Sequence, residues 1–103
     1  MSRYVKIGET SDLSPGDCKS VEVEGQTMAL FNVEGTFYAI HGTCTHVGGP
    51  LGEGTLDGEI VTCPWHGAQF NVTTGEVLRP PAGNDERSFP VRIEGSDVLV
   101  ELD

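Results

Sequence analysis

Two short segments carry the residues best suited to chemistry: Cys44-Thr45-His46 and, after sixteen intervening residues, Cys63-Pro64-Trp65-His66. Each offers one thiolate sulfur and one imidazole nitrogen. Both donor types bind iron and zinc well, and donors one or two residues apart on a loop can reach a shared centre. Brought together, the segments supply four ligands. A single tetrahedral zinc is one solution, although zinc fingers usually pair cysteine with cysteine and histidine with histidine along the chain. A 2Fe–2S cluster with two histidines in place of two cysteines on one iron is the other. Spacing alone does not exclude zinc. The third cysteine, Cys18, stands apart in Pro15-Gly16-Asp17-Cys18-Lys19 and reads as a structural or surface thiol. His41 precedes Cys44 by three residues and reads as a surface or hydrogen-bonding side chain, because four ligands already complete a site.

The elements that must position these donors are short strands. Val21, Val23, Met28, Leu30 and Val33 alternate or nearly alternate with polar residues, as half-buried strands do. Strands are expected at 4–7, 20–23, 28–33, 37–40, 59–62, 69–72, 89–93 and 98–101. Turns are expected at Glu24-Gly25, Glu34-Gly35, Asp57-Gly58 and Glu94-Gly95-Ser96-Asp97. No window has a helical period, and fourteen glycines and six prolines disfavour helices further. The pattern predicts an all-β antiparallel sandwich or small barrel. Three stretches interrupt it: 41–55, 63–68 and the stiff run Leu78-Arg79-Pro80-Pro81-Ala82-Gly83. The paired Cys and His residues fall in the first two, so the site is expected on loops of one domain spanning 1–103, within about 41–83.

Composition narrows the function. A chain of 103 residues has room for one modest core. No apolar stretch approaches the roughly 20 residues of a membrane span, and no long apolar signal segment opens the chain. A soluble, cytoplasmic protein is expected, with no membrane partner. Six basic against sixteen acidic residues give a formal charge of −10, which repels phosphate backbones and argues against nucleic acid. The same charge could steer the chain toward a basic protein surface. Three cysteines cannot close a disulfide framework and suit a reducing compartment.

The wording of the two segments is more specific than their spacing. Cys-x-His followed by Cys-Pro-Trp-His-Gly resembles the Rieske motif, and Phe70-Asn71-Val72-x-Thr74-Gly75 resembles the stretch just after that motif in Rieske ferredoxins. Leu51, Gly52, Glu53, Gly54, Leu56, Asp57 and Gly58 match the segment between the ligand loops. The likeness covers nearly the whole chain and is greatest to ferredoxin components of bacterial aromatic-ring-hydroxylating dioxygenase systems.

That resemblance implies a Rieske-type fold and one 2Fe–2S cluster, with Cys44 and Cys63 on a buried inner iron. His46 and His66 would hold the outer iron near solvent. It also implies a monomeric electron carrier without substrate chemistry of its own, placed between a flavin-dependent reductase and a terminal Rieske non-haem iron oxygenase acting on aromatic compounds. Two rivals remain: a Rieske-like small subunit of a larger reductase such as nitrite reductase, and a zinc-stabilised interaction module. Oxidised, such a cluster sums formally to zero charge with two thiolates, against −2 with four, so histidine ligation raises the potential. Other features point to the low end of that range. Where Rieske proteins of cytochrome bc complexes carry disulfide cysteines, this chain has Gly49 or a neighbour, and Trp65. Where they place serine and tyrosine hydroxyls, it has Ala68 and Phe70. The resemblance further suggests Leu51 as a lid or loop-core contact, Pro80 and Pro81 as a covering loop, and Trp65 and Phe70 as packing groups. Exposed histidine ligation would couple reduction to protonation at alkaline pH.

Overall fold

The computed structural model describes residues 3–42, 50–65, 67–79 and 85–102. Cys44, His46, His66, Gly49 and the Pro80–Gly83 part of the third loop lie outside these residues. The described strands are β1 (Arg3–Glu9), β2 (Cys18–Val23), β3 (Gln26–Val33), β4 (Thr36–His41), β5 (Thr55–Asp57) and β6 (Ile60–Thr62), followed by β7 (Gln69–Asn71), β8 (Val77–Arg79), β9 (Ser88–Phe89), β10 (Val91–Glu94) and β11 (Asp97–Leu102). They form three antiparallel sheets, in the orders β1-β11-β10, β2-β3-β4-β9 and β5-β6-β7-β8. No helix among the described residues is long and apolar enough to cross a membrane.

Two hairpins build the central sheet. Val23 pairs with Gln26 across Glu24-Gly25, and Val33 with Thr36 across Glu34-Gly35. All four turn residues have positive φ, with Glu24 at 51° and Glu34 at 52°. Such two-residue turns match the right-handed twist of the strands they join. A glutamate there accepts some local strain because the following glycine completes the reversal without any.

β3 departs from the half-buried expectation. Met28, Ala29, Leu30 and Phe31 are all fully buried. Because side chains alternate along a strand, the run divides between two cores. Met28 and Leu30 join Leu13, Val23, Phe37, Ala39, Phe89, Val98, Val100 and Leu102, between the first and second sheets. Ala29 and Phe31 point the other way, with Ile40, Leu51, Val61, Cys63, Ala68, Phe70 and Val72, beneath the third sheet. The central sheet is therefore covered on both faces. Burying Phe31 and Phe70 alone would contribute several kcal/mol, at ~1.5–3 kcal/mol for each side chain.

The expected strand at 89–93 is two strands. β9 pairs with β4, through Ala39↔Phe89 and Ile40↔Ser88, whereas β10 pairs with β11. Pro90 lies between them, where a residue lacking an N–H is tolerated because the chain changes sheets.

Candidate metal centre

The second donor segment grows directly from the β6–β7 hairpin. Thr62 pairs with Gln69, and the Cys63 amide donates to the Ala68 carbonyl at 2.8 Å. The Gly67 amide donates back to the Cys63 carbonyl at 3.2 Å. These bonds close a tight turn that turns Cys63 inward and presents Pro64 and Trp65 outward. Cys63 is 2% exposed and belongs to the core of Leu51, Val61, Ala68 and Phe70. A buried free thiol on a rigid turn is a soft donor shielded from water, which fits a metal or iron–sulfur group.

Trp65, by contrast, is 57% exposed. It was expected to pack beside the site, as Phe70 does. The turn explains the difference: with Cys63 facing the core, a side chain two residues on, after a proline, is carried around to solvent. Leu51 is fully buried and is a core contact.

The first donor segment has its ends pinned. The Leu51 amide donates to the Gly42 carbonyl at 2.9 Å, so the chain that leaves β4 returns to the same place. On the return side, a 3-10 turn at Leu51–Glu53 lies hard against β2. A Cβ on Gly52 would stand 2.4 Å from the Ser20 amide nitrogen, so only glycine permits this contact. The Cys18 thiol donates to the Gly54 carbonyl at 3.5 Å. Burial, with a smaller contribution from the charge of Asp17, pushes that thiol up. Cys18 is thus a protonated structural thiol that helps seat the turn.

His41 ends β4 and is half-exposed. Its Nδ1 lies 3.4 Å from Oε1 of Glu86, whose side chain is 1% exposed. Sequence reasoning missed Glu86 entirely, since Asp85-Glu86-Arg87 reads as solvated charge. The neighbouring glycine, Gly75, gives no signal of the pairing either.

Charge is distributed unevenly. Among the described residues, ion pairs on the first two sheets and their connections join Arg3 with Glu24, Lys6 with Asp97 at 3.1 Å, Lys19 with Asp12 at 3.0 Å and Arg92 with Glu94 at 2.8 Å. Exposed pairs of this kind contribute little stability. They do neutralise that part of the surface locally. Glu53, Asp57, Glu59 and Glu76 are exposed on the segment that carries the third sheet.

A family model described as the Rieske [2Fe–2S] domain matches residues 3–90. The ferredoxin component of the naphthalene 1,2-dioxygenase system of Pseudomonas putida is 36% identical over 100 residues, covering 97% of this chain and 96% of that protein. The biphenyl dioxygenase ferredoxin subunit of Pseudomonas sp. (strain KKS102) is 40% identical over 100 residues, covering 96% and 92%. Among solved structures, a chain from the complex of reduced oxygenase and oxidized ferredoxin in carbazole 1,9a-dioxygenase superposes with a TM-score of 0.89 at 38% identity, covering 94% of this chain and 91% of that one.

Proposed function

The chain belongs to the Rieske [2Fe–2S] domain family, and we propose from that membership that it is a ferredoxin carrying single electrons to a terminal oxygenase of an aromatic-ring-hydroxylating system. The carrying observation is near end-to-end similarity to ferredoxin components, 97% of this chain against 96% of one relative. The protein is an electron-transfer component rather than an enzyme. We read residues 1–103 as one domain, with the cluster in about 41–83.

In this proposal Cys44 and Cys63 hold the inner iron, and His46 and His66 the outer one. When bound, the cluster supplies reversible one-electron chemistry. The chain does the rest. The inward turn at Cys63 keeps water from the sulfur side, and the Gly42–Leu51 bond holds together the ends of the segment bearing Cys44 and His46. Pro64 and Trp65, which precede His66 in the chain, are exposed. A flavin-dependent reductase is the donor, delivering one electron at a time.

Reconstitution tests the function: the reduced protein, mixed with an aromatic-ring oxygenase, should be reoxidised as the oxygenase is reduced. No reoxidation by any such oxygenase, with rapid reoxidation by a nitrite reductase large subunit, would refute it. The exposed carboxylates Glu53, Asp57, Glu59 and Glu76 add a second expectation. Raising ionic strength from about 0.01 to 0.15 M shortens the Debye length from roughly 30 to 8 Å and should slow the encounter several-fold. Stopped-flow rates independent of salt would remove charge steering.

Ala68 offers a test of potential. It is fully buried beside Cys63 and carries no hydroxyl. A hydrogen bond to sulfur favours the reduced, more negative cluster. Ala68→Ser should raise the midpoint potential by about 40–90 mV, for a bond worth ~1–2 kcal/mol at ~59 mV per tenfold change. An unchanged potential, with the hydroxyl seen on a sulfur, would contradict this.

A further inference from the structure

The outer face of the third sheet ends at the turn that carries Cys63, and one side chain there departs from the acidic character of its surroundings. Thr62 pairs with Gln69, and Gln69 with Arg79, so the three stand in one row at the root of that turn. Val61 and Phe70, next along their strands, are fully buried. Side chains alternate along a strand, which turns the row outward. Gln69 Nε2 donates to Thr62 Oγ1 at 3.2 Å across it. Paired residues on adjacent strands have Cα atoms about 5 Å apart, so Arg79 flanks the turn closely.

Arg79 is exposed. Among the described residues it is the one basic side chain with neither a carboxylate partner nor an aromatic ring beneath it. Arg3, Lys6, Lys19 and Arg92 are in ion pairs, and Arg87 lies over Phe89. Asp85, the acid that reaches β8, accepts from the Val77 amide through Oδ1. The fold therefore makes no use of the Arg79 charge. Beside it are Leu78, 44% exposed, and Trp65, 57% exposed on the turn itself. An arginine and a tryptophan on one exposed patch are the residue types that carry most binding energy at protein interfaces.

We propose that Trp65, Leu78 and Arg79 form the face that docks the terminal oxygenase, with Arg79 meeting a carboxylate on that partner. The inference deepens the electron-carrier reading and rests on it. Charge complementarity defines the occupant. Glu53, Asp57, Glu59 and Glu76, exposed on the same sheet and its connections, require a mainly basic surface opposite them. A carboxylate set within that surface, facing Arg79, fixes the orientation. The net charges bring the two proteins together, and the Arg79 pair decides which way round they meet.

The test compares Arg79→Glu with Arg92→Glu in the reduced holoprotein. Stopped flow gives the second-order rate of electron loss to an aromatic-ring oxygenase that reoxidises the parental protein. Both variants make the chain more acidic by two charges. Steering toward a basic surface then strengthens in both. Negative charge added near the cluster also makes the reduced protein a stronger reductant. Each of these effects speeds transfer, and a lost contact slows it. Arg79→Glu should fall about tenfold or more, because it sets two carboxylates against each other. Arg92→Glu, on the first sheet, should match or exceed the parental rate. Should Arg79→Glu lose its colour, Arg79→Gln decides, with an expected fall of about threefold. A rate at or above the parental one in the deciding variant would overturn the proposal. So would an equal fall in Arg92→Glu, or a loss confined to reduction by the flavin-dependent reductase. Failure of the electron-carrier reading looks different: the parental protein itself would then find no oxygenase that accepts its electron.

Discussion

Cys63→Ala is expected to yield a colourless protein with no acid-labile sulfide and no electron transfer above background. The thiol is 2% exposed on a turn closed by bonds to Ala68 and Gly67, so no other side chain can move in to replace it. Removing the sulfur alone leaves a small cavity, costing about 1 kcal/mol. Losing the cluster costs more, because metal-binding free energy is also folding free energy. The apo variant should therefore melt well below the holoprotein. Cys18→Ala is the matched control: it removes a half-buried thiol bonded to the Gly54 carbonyl, and should keep full colour while losing about 1 kcal/mol of stability. Visible absorption and sulfide analysis of the two variants side by side check this. Full colour in Cys63→Ala, or loss of colour in Cys18→Ala, would reverse the assignment.

The second large effect concerns the fold that carries the site. Gly75 has φ +84°, and a Cβ there would stand 2.1 Å from the Glu86 carbonyl oxygen. Its own amide donates to the Asn71 carbonyl at 2.7 Å, and its carbonyl accepts from the Glu86 amide, so neither side can withdraw without breaking a buried bond. Gly75→Ala should cost about 3 kcal/mol or more, combining backbone strain with the clash. For a chain of this size that corresponds to a fall in melting temperature of roughly 12–24 °C. Gly58 separates the two causes. It also has positive φ, +62°, but nothing lies within 4 Å of its would-be Cβ. Gly58→Ala should cost only about 1 kcal/mol. Equal losses in calorimetry would mean that the approach of Gly75 to Glu86 is not what holds the turn.

Much of the architecture is legible in the sequence. The Glu-Gly pairs locate both central hairpins because each glycine, set between apolar runs, takes positive φ without strain, and the expected all-β antiparallel fold grows from them. Strands β5 and β8 are not foreseeable in the same way: each has three residues, and such strands owe their existence to neighbours more than to their own pattern. β8 includes Leu78 and Arg79, expected in a loop with the prolines. The double burial of β3 is visible as an unbroken apolar run, Met28 to Phe31, yet that run looks alternating if only the even positions are counted. Pro90 carries a clear signal, since a proline inside an apolar stretch marks a place where pairing changes. Trp65 and Glu86 are harder. An aromatic side chain can be thrust into solvent, and a carboxylate buried, only by contacts distant in sequence. Of the four proposed ligands, Cys63 is among the described residues and stands buried on its turn.

The most direct measurement is iron, zinc and acid-labile sulfide analysis of the protein as purified, with the paramagnetic resonance spectrum of the reduced form. Two irons and two sulfides per chain are predicted, with no zinc and a signal showing nitrogen coupling from two imidazoles. One zinc per chain with no sulfide, or a cluster whose spectrum lacks nitrogen coupling, would contradict the electron-carrier assignment.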